Sequence, residues 1–211
     1  MAQRRAPDEH RRARDLLAPD RVAAAALALA EETGWYDLPM RDLARRLGVG
    51  LDALAARYAD PNAIADIVFA RARDAMLADG RTPRGGVPPR QRVEQAMLRW
   101  YDALAPHRRV AAQMIGAKLH PSHAHHWAPL PFHLSRLIWW LREAAALDAT
   151  GRRRQAEEIA LSGIFLAMLA AWSCDASEGQ ARSRALLARL LDRTERWFRW
   201  WRTEATAAGG R

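Results

Sequence analysis

Between Pro39 and Tyr58 the chain carries two short segments, MRDLARRL and LDALAARY, separated only by Gly48-Val49-Gly50. Met40, Leu43 and Leu47 share one helical face, Pro39 opens the first segment, and the glycines supply the turn. Upstream, RVAAAALALAEETG follows Asp20, an expected N-cap, and places Val22, Ala26, Leu29 and Ala30 at helical spacing before Gly34 ends it. Downstream, Asp60-Pro61 provides an N-cap and a first-turn proline for a longer helix through Ile64, Ile67, Val68, Ala72 and Met76 to about Ala78. One helix, two short helices joined by a glycine turn, then a longer helix is the helix-turn-helix layout, which sets its second short helix into a DNA groove.

The rest of the chain is also written at helical period. GRTPRGGVPP, residues 80–89, is the densest Gly/Pro stretch and marks a boundary. Beyond it, QRVEQAMLRWYDALAPH turns Val93, Met97, Trp100 and Leu104 inward, and a shorter helix runs through Val110, Met114 and Ile115. Residues 119–131 read as a loop, and 132–147, 155–174 and 178–202 as three more helices. Alanine makes up about a fifth of the 211 residues and no strand is convincing. The expected fold class is therefore all-α, with a basic arm at 1–19, a three-helix helix-turn-helix domain at 20–79 and a larger helical domain at 90–204.

Charge narrows the partners. The net charge is +9, and Lys118 is the only lysine beside the arginines, a balance that suits a polyanion such as nucleic acid or an anionic membrane surface, or else a solvated arginine-rich exterior. Residues 20–60 carry five arginines against seven acids, whereas 81–151 sum to +6 and 182–211 to +5. The lone Cys174 has no disulfide partner, which points to a cytoplasmic setting and a buried, inert thiol. No secretory signal opens the chain, and the longest run free of charged residues and histidine, Ile159 to Cys174, is 16 residues, short of the ~20 that span a bilayer. It reads as a buried helix. No catalytic or cofactor motif is present, so an enzyme is not expected. His120, His123, His125 and His126 crowd one loop without accompanying acids or thiols, and are expected to border a pocket, with His133, rather than hold a metal.

Particular residues sharpen the first domain. Glu31-Glu32-Thr33-Gly34-Trp35 after the Ala-rich helix, Met40-Arg41-Asp42-Leu43-Ala44, Gly48-Val49, Leu54, Tyr58 and Ala63-Ile64 resemble the TetR family of bacterial regulators over about residues 20 to 78. The resemblance implies a homodimer that binds DNA through the helix-turn-helix and a hydrophobic small molecule in the C-terminal domain. It assigns DNA contact to Arg41, Arg45, Arg46, Gly50, Asp52, Arg57 and Tyr58. Departures fall at the third helix: the family's capping Ser or Thr is Gly50, its aromatic position is Ala55, and a lysine before the fourth helix is Pro61. Met97, Trp100, Met114, Trp127, Phe132, Trp139, Phe165, Met168 and Trp172 are candidate ligand contacts, and equally the contents of a helical core.

A second resemblance is to the Coq-nine accessory proteins of ubiquinone biosynthesis, which share this fold and bind lipid. It is carried by Gly34-Trp35, Leu47-Gly48-Val49 and the segment from Trp139-Trp140 through Leu169, Trp172, Asp175 and Ser177 to Arg193 and Trp197. The family's Tyr- and Thr-rich stretch is replaced by GRRRQAEEIALSG. This resemblance implies an isoprenoid lipid as ligand and action at a membrane surface. The last helix suits either family. Leu187, Leu190, Leu191, Phe198 and Trp201 share a face fit for dimer contact. Trp197, Phe198, Trp200 and Trp201 among Arg196, Arg199 and Arg202 fit peripheral contact with an anionic membrane.

Overall fold

A computed structural model describes residues 15–78, 86–119 and 129–208, with the side chains of 119, 129–132 and 198–208 left aside, and among these residues it is helical without a strand. Residues 1–14 of the expected arm at 1–19, the histidine loop and Trp127 lie outside the described residues. So do the side chains of Phe132, Phe198, Trp200 and Trp201. The helices are α1 (Pro19–Thr33), α2 (Met40–Leu47), α3 (Leu51–Arg57), α4 (Pro61–Leu77), α5 (Pro89–Leu104), α6 (Arg108–Leu119), α7 (Pro129–Ala144), α8 (Gly151–Cys174) and α9 (Ala181–Ala208). Two compact units result. One holds α1 to α3, most of α4, and α6; the other holds nearly all of α5 with α7, α8 and α9.

In the first unit, Val22, Ala26, Leu29 and Ala30 of α1 are buried with Leu43 and Leu47 of α2, Leu54 of α3 and Ile64 of α4. The small alanines let α1 lie close to its neighbours. Pro19 begins α1, so Asp20 sits in the first turn rather than at the cap, and its carboxylate accepts 2.6 and 3.0 Å bonds from Arg71. Asp60 does cap α4, accepting from the Ala63 N–H at 2.9 Å. Helix α6, which the sequence reading grouped with the C-terminal domain, belongs to this unit. The Trp35 N–H donates to Gln113 Oε1 at 2.8 Å, Arg109 reaches the Glu31 carbonyl at 2.6 Å, and Lys118 pairs with Asp66 at 2.8 Å. Val110, Ala111 and Met114 are buried beside these polar contacts, and helical spacing, which marks that face as buried, did not disclose which unit covers it.

In the second unit, Trp100, Tyr101, Phe165 and Trp172 form a buried aromatic cluster with centroids 4.9 to 5.5 Å apart. The Tyr101 hydroxyl donates to the Phe165 carbonyl at 2.8 Å. Helix α8 starts four residues earlier than expected because its polar first turns are held by ion pairs, Arg153 to Glu157 and Arg154 to Glu158. Arg142, almost wholly buried, meets Glu157 at 2.7 Å and donates to the carbonyls of Leu147 and Ala149. The exit of α7 is thereby satisfied together with a second arginine, since Arg92 donates to the carbonyls of Ala145 and Ala146 at 2.7 and 3.1 Å.

The corner between α8 and α9 is built on Asp175. Its buried carboxylate accepts from the N–H and hydroxyl of both Ser177 and Ser183, which holds it well below the usual carboxylate range. Cys174 beside it is exposed, contrary to the expected buried thiol, because it lies on the outward side of α8.

Candidate nucleic-acid interface and ligand cleft

The turn between α2 and α3 is closed by Gly48 in the left-handed region at φ 71°, with the Val49 N–H returned to the Ala44 carbonyl at 3.0 Å. Gly50 then caps α3 through its backbone alone, and no side chain bonds to the first turn. Within α3, Leu54 is fully buried and fixes which side faces out. Leu51, Asp52, Ala55, Ala56 and Arg57 are all exposed.

The expected DNA contacts divide into three groups. Arg41 and Arg57 are exposed, and no ion pair is found for either among the described residues. Arg45 and Arg46 are exposed but engaged, with Asp42 at 3.1 Å and Glu32 at 2.5 Å. Tyr58 is a correction: it is buried, and its hydroxyl donates to the Leu17 carbonyl at 2.8 Å, so it anchors the chain ahead of α1 instead of facing a ligand. Its i+4 spacing from Leu54 carried that signal, since both lie on the inward face. Leu51, which the reading did not single out as a contact, is 50% exposed.

The expected ligand contacts are mostly core. Met97, Trp100, Phe165, Met168 and Trp172 are packed inside the second unit, and Met114 inside the first. Trp139 is 40% exposed and lies edge-on to Trp140 at 4.6 Å, so it lines no interior. The second unit instead has a cleft of about 250 Å³ bounded by Pro89, Arg90 and Val93 of α5, Leu147 between α7 and α8, Arg153, Glu157 and Leu161 of α8, and Leu191, Thr194 and Glu195 of α9. Its floor is apolar and its rim charged. Arg90 is already committed to Glu94 at 2.7 Å and Asp192 at 2.6 Å.

Of the expected dimer or membrane contacts, Leu187 and Leu191 are buried within their own chain and Leu190 is half-buried, a second correction. They hold α9 against α8. Trp197 is 47% exposed. The outward apolar surface lies on α8: Ile159, Gly163, Leu166, Ala167, Ala170 and Cys174 form one exposed stripe opposite the buried Leu161, Ile164, Phe165, Met168 and Trp172. Helix α8 has the length and composition to cross a membrane, yet its inner face is the core of this unit.

A glycine-turned helix pair with an outward second helix, followed by a separate helical unit, defines a helix-turn-helix regulator fold. Among solved structures, the TetR transcriptional regulator from Nitrosomonas europaea is 32% identical to this chain, covering 82% of it and 95% of its own length, with a TM-score of 0.72. A TetR regulator from Rhodococcus sp. RHA1 is 18% identical over 87% of this chain and 95% of its own, with a TM-score of 0.57. A further Rhodococcus member of that family is 14% identical over 82% and 96%, with a TM-score of 0.55. No protein-family model matches the chain, and no curated protein matches it by sequence. The chain belongs to the TetR family of transcriptional regulators.

Proposed function

We propose that the protein is a homodimer that binds duplex DNA through α2 and α3 and releases or retains it according to the occupancy of the cleft in its second unit by an apolar small molecule. The observation that carries the DNA reading is the outward α3 flanked by exposed Arg41 and Arg57, cations free to meet phosphates. The dimer is supported by the α8 stripe, where Ile159 is 74% and Leu166 49% exposed. An apolar helix face of that length is normally covered, and a second copy covers it symmetrically. The ligand reading is supported by the apolar floor of the cleft at Val93, Leu147, Leu161 and Leu191.

Retention of genomic fragments at low salt, lost steeply as salt rises, is the expected result. Retention no better than that of a polyanion control ends the DNA reading. The lipid-accessory alternative rests on exposed Trp197 and the same α8 stripe. Flotation with anionic vesicles, abolished by Trp197→Ala, would favour it over the regulator.

A further inference from the structure

We infer that α3 selects DNA sequence by apolar contact with thymine methyl groups instead of hydrogen bonds donated to base edges. The inference rests on the reading of α3 as the DNA-facing helix and goes further by naming the chemistry it reads. Leu51, Asp52, Ala55 and Ala56 are all exposed and fall within one arc of about 140° of the helix, whereas Leu54 and Tyr58 are buried. That side offers one isobutyl group, two methyls and one carboxylate. Side chains 51–56 include no N–H or O–H donor, so neither a bidentate Arg–guanine nor an Asn–adenine or Gln–adenine pair can form from them.

What remains for such a surface in the major groove is limited. The thymine 5-methyl is the apolar group displayed there, and alanine and other apolar side chains pack on it. Asp52 can only accept, which matches the amino group of cytosine or adenine. Its carboxylate also opposes nearby phosphates, so a backbone-gripping role for this end of α3 is disfavoured. Arg57 and Arg41 stand outside the apolar patch and supply sequence-neutral phosphate contact. Affinity and selectivity are thus assigned to different residues. Each methyl buried against Leu51 or Ala55 is worth about four-fold in affinity.

The full chain is incubated at low salt with a pool of random duplexes, and the retained sequence is resynthesised with deoxyuridine replacing thymidine one position at a time. Uracil keeps every hydrogen-bonding group of thymine and lacks only the methyl. A loss of about four-fold at one or two positions in each half-site is expected. Leu51→Ser or Ala55→Ser should erase that loss at one position while leaving the salt dependence unchanged. Equal affinity for the uracil duplexes overturns the inference, as does a uracil penalty that survives in both variants. Retention with no selected sequence also overturns it while leaving the DNA reading intact. Retention of no duplex at all removes both.

Discussion

At the scale of single residues, two polar side chains do work that their position in the sequence concealed. Arg142 lies in an apolar stretch, IWWLREAAAL, yet is buried between Glu157 and two carbonyls. Removing it leaves mostly buried Glu157 with only the exposed Arg153 at 3.2 Å and takes the donor from the carbonyls of Leu147 and Ala149. Arg142→Ala should cost about 3–5 kcal/mol and lower the melting temperature by on the order of 10 °C in a calorimetric scan. Asp175 acts through ionisation. Its carboxyl titrates lower in the folded chain than in the unfolded one, where an aspartate titrates near ~3.9. The stability it contributes is therefore complete above that value and is lost as pH falls below it. In thermal melts across pH 2 to 7, Asp175→Asn should be less stable at neutral pH and show a shallower acid limb than the parent chain.

At the scale of elements, helix positions were legible because each buried stripe repeats at helical period and each break carries Gly or Pro. Leu43 and Leu47, then Gly48, show both signals within a few residues. Leu187 and Leu191 show where that logic stopped. Periodicity marks a face as buried without saying whether its cover is the same chain or another, and here the cover is α8. The same limit hid the cleft. Its apolar floor is assembled from single residues on α5, α8 and α9, whereas the large aromatics that attracted attention fill the core. The uncharged run in α8 was visible, but one run supplied both an inner and an outer face. Leu166→Arg tests the outer one. In light scattering, the dissociation constant of the proposed dimer should rise at least ~30-fold with little change in helicity, since the side chain already faces outward.

At the scale of the whole molecule, the excess of arginine is only partly available to a polyanion. Arg92 and Arg142 cap a helix end, Arg90 links α5 to α9 through Asp192, and Arg184 pairs with Asp102. Three of the ten cations between 81 and 151, Arg90, Arg92 and Arg142, are thereby internal bracing. If Arg41 and Arg57 of two protomers are the cations that meet DNA, the logarithm of the binding constant should fall with the logarithm of salt at a slope of about −4. A slope near −7 would mean that Arg45 and Arg46 leave Asp42 and Glu32 to join them. The stripe on α8 sets a second global property. If the proposed dimer covers it, folding and association become parts of one mass-action equilibrium. Dilution should then lower the melting temperature, and the stability of such a dimer would have a defined value only at a stated protomer concentration.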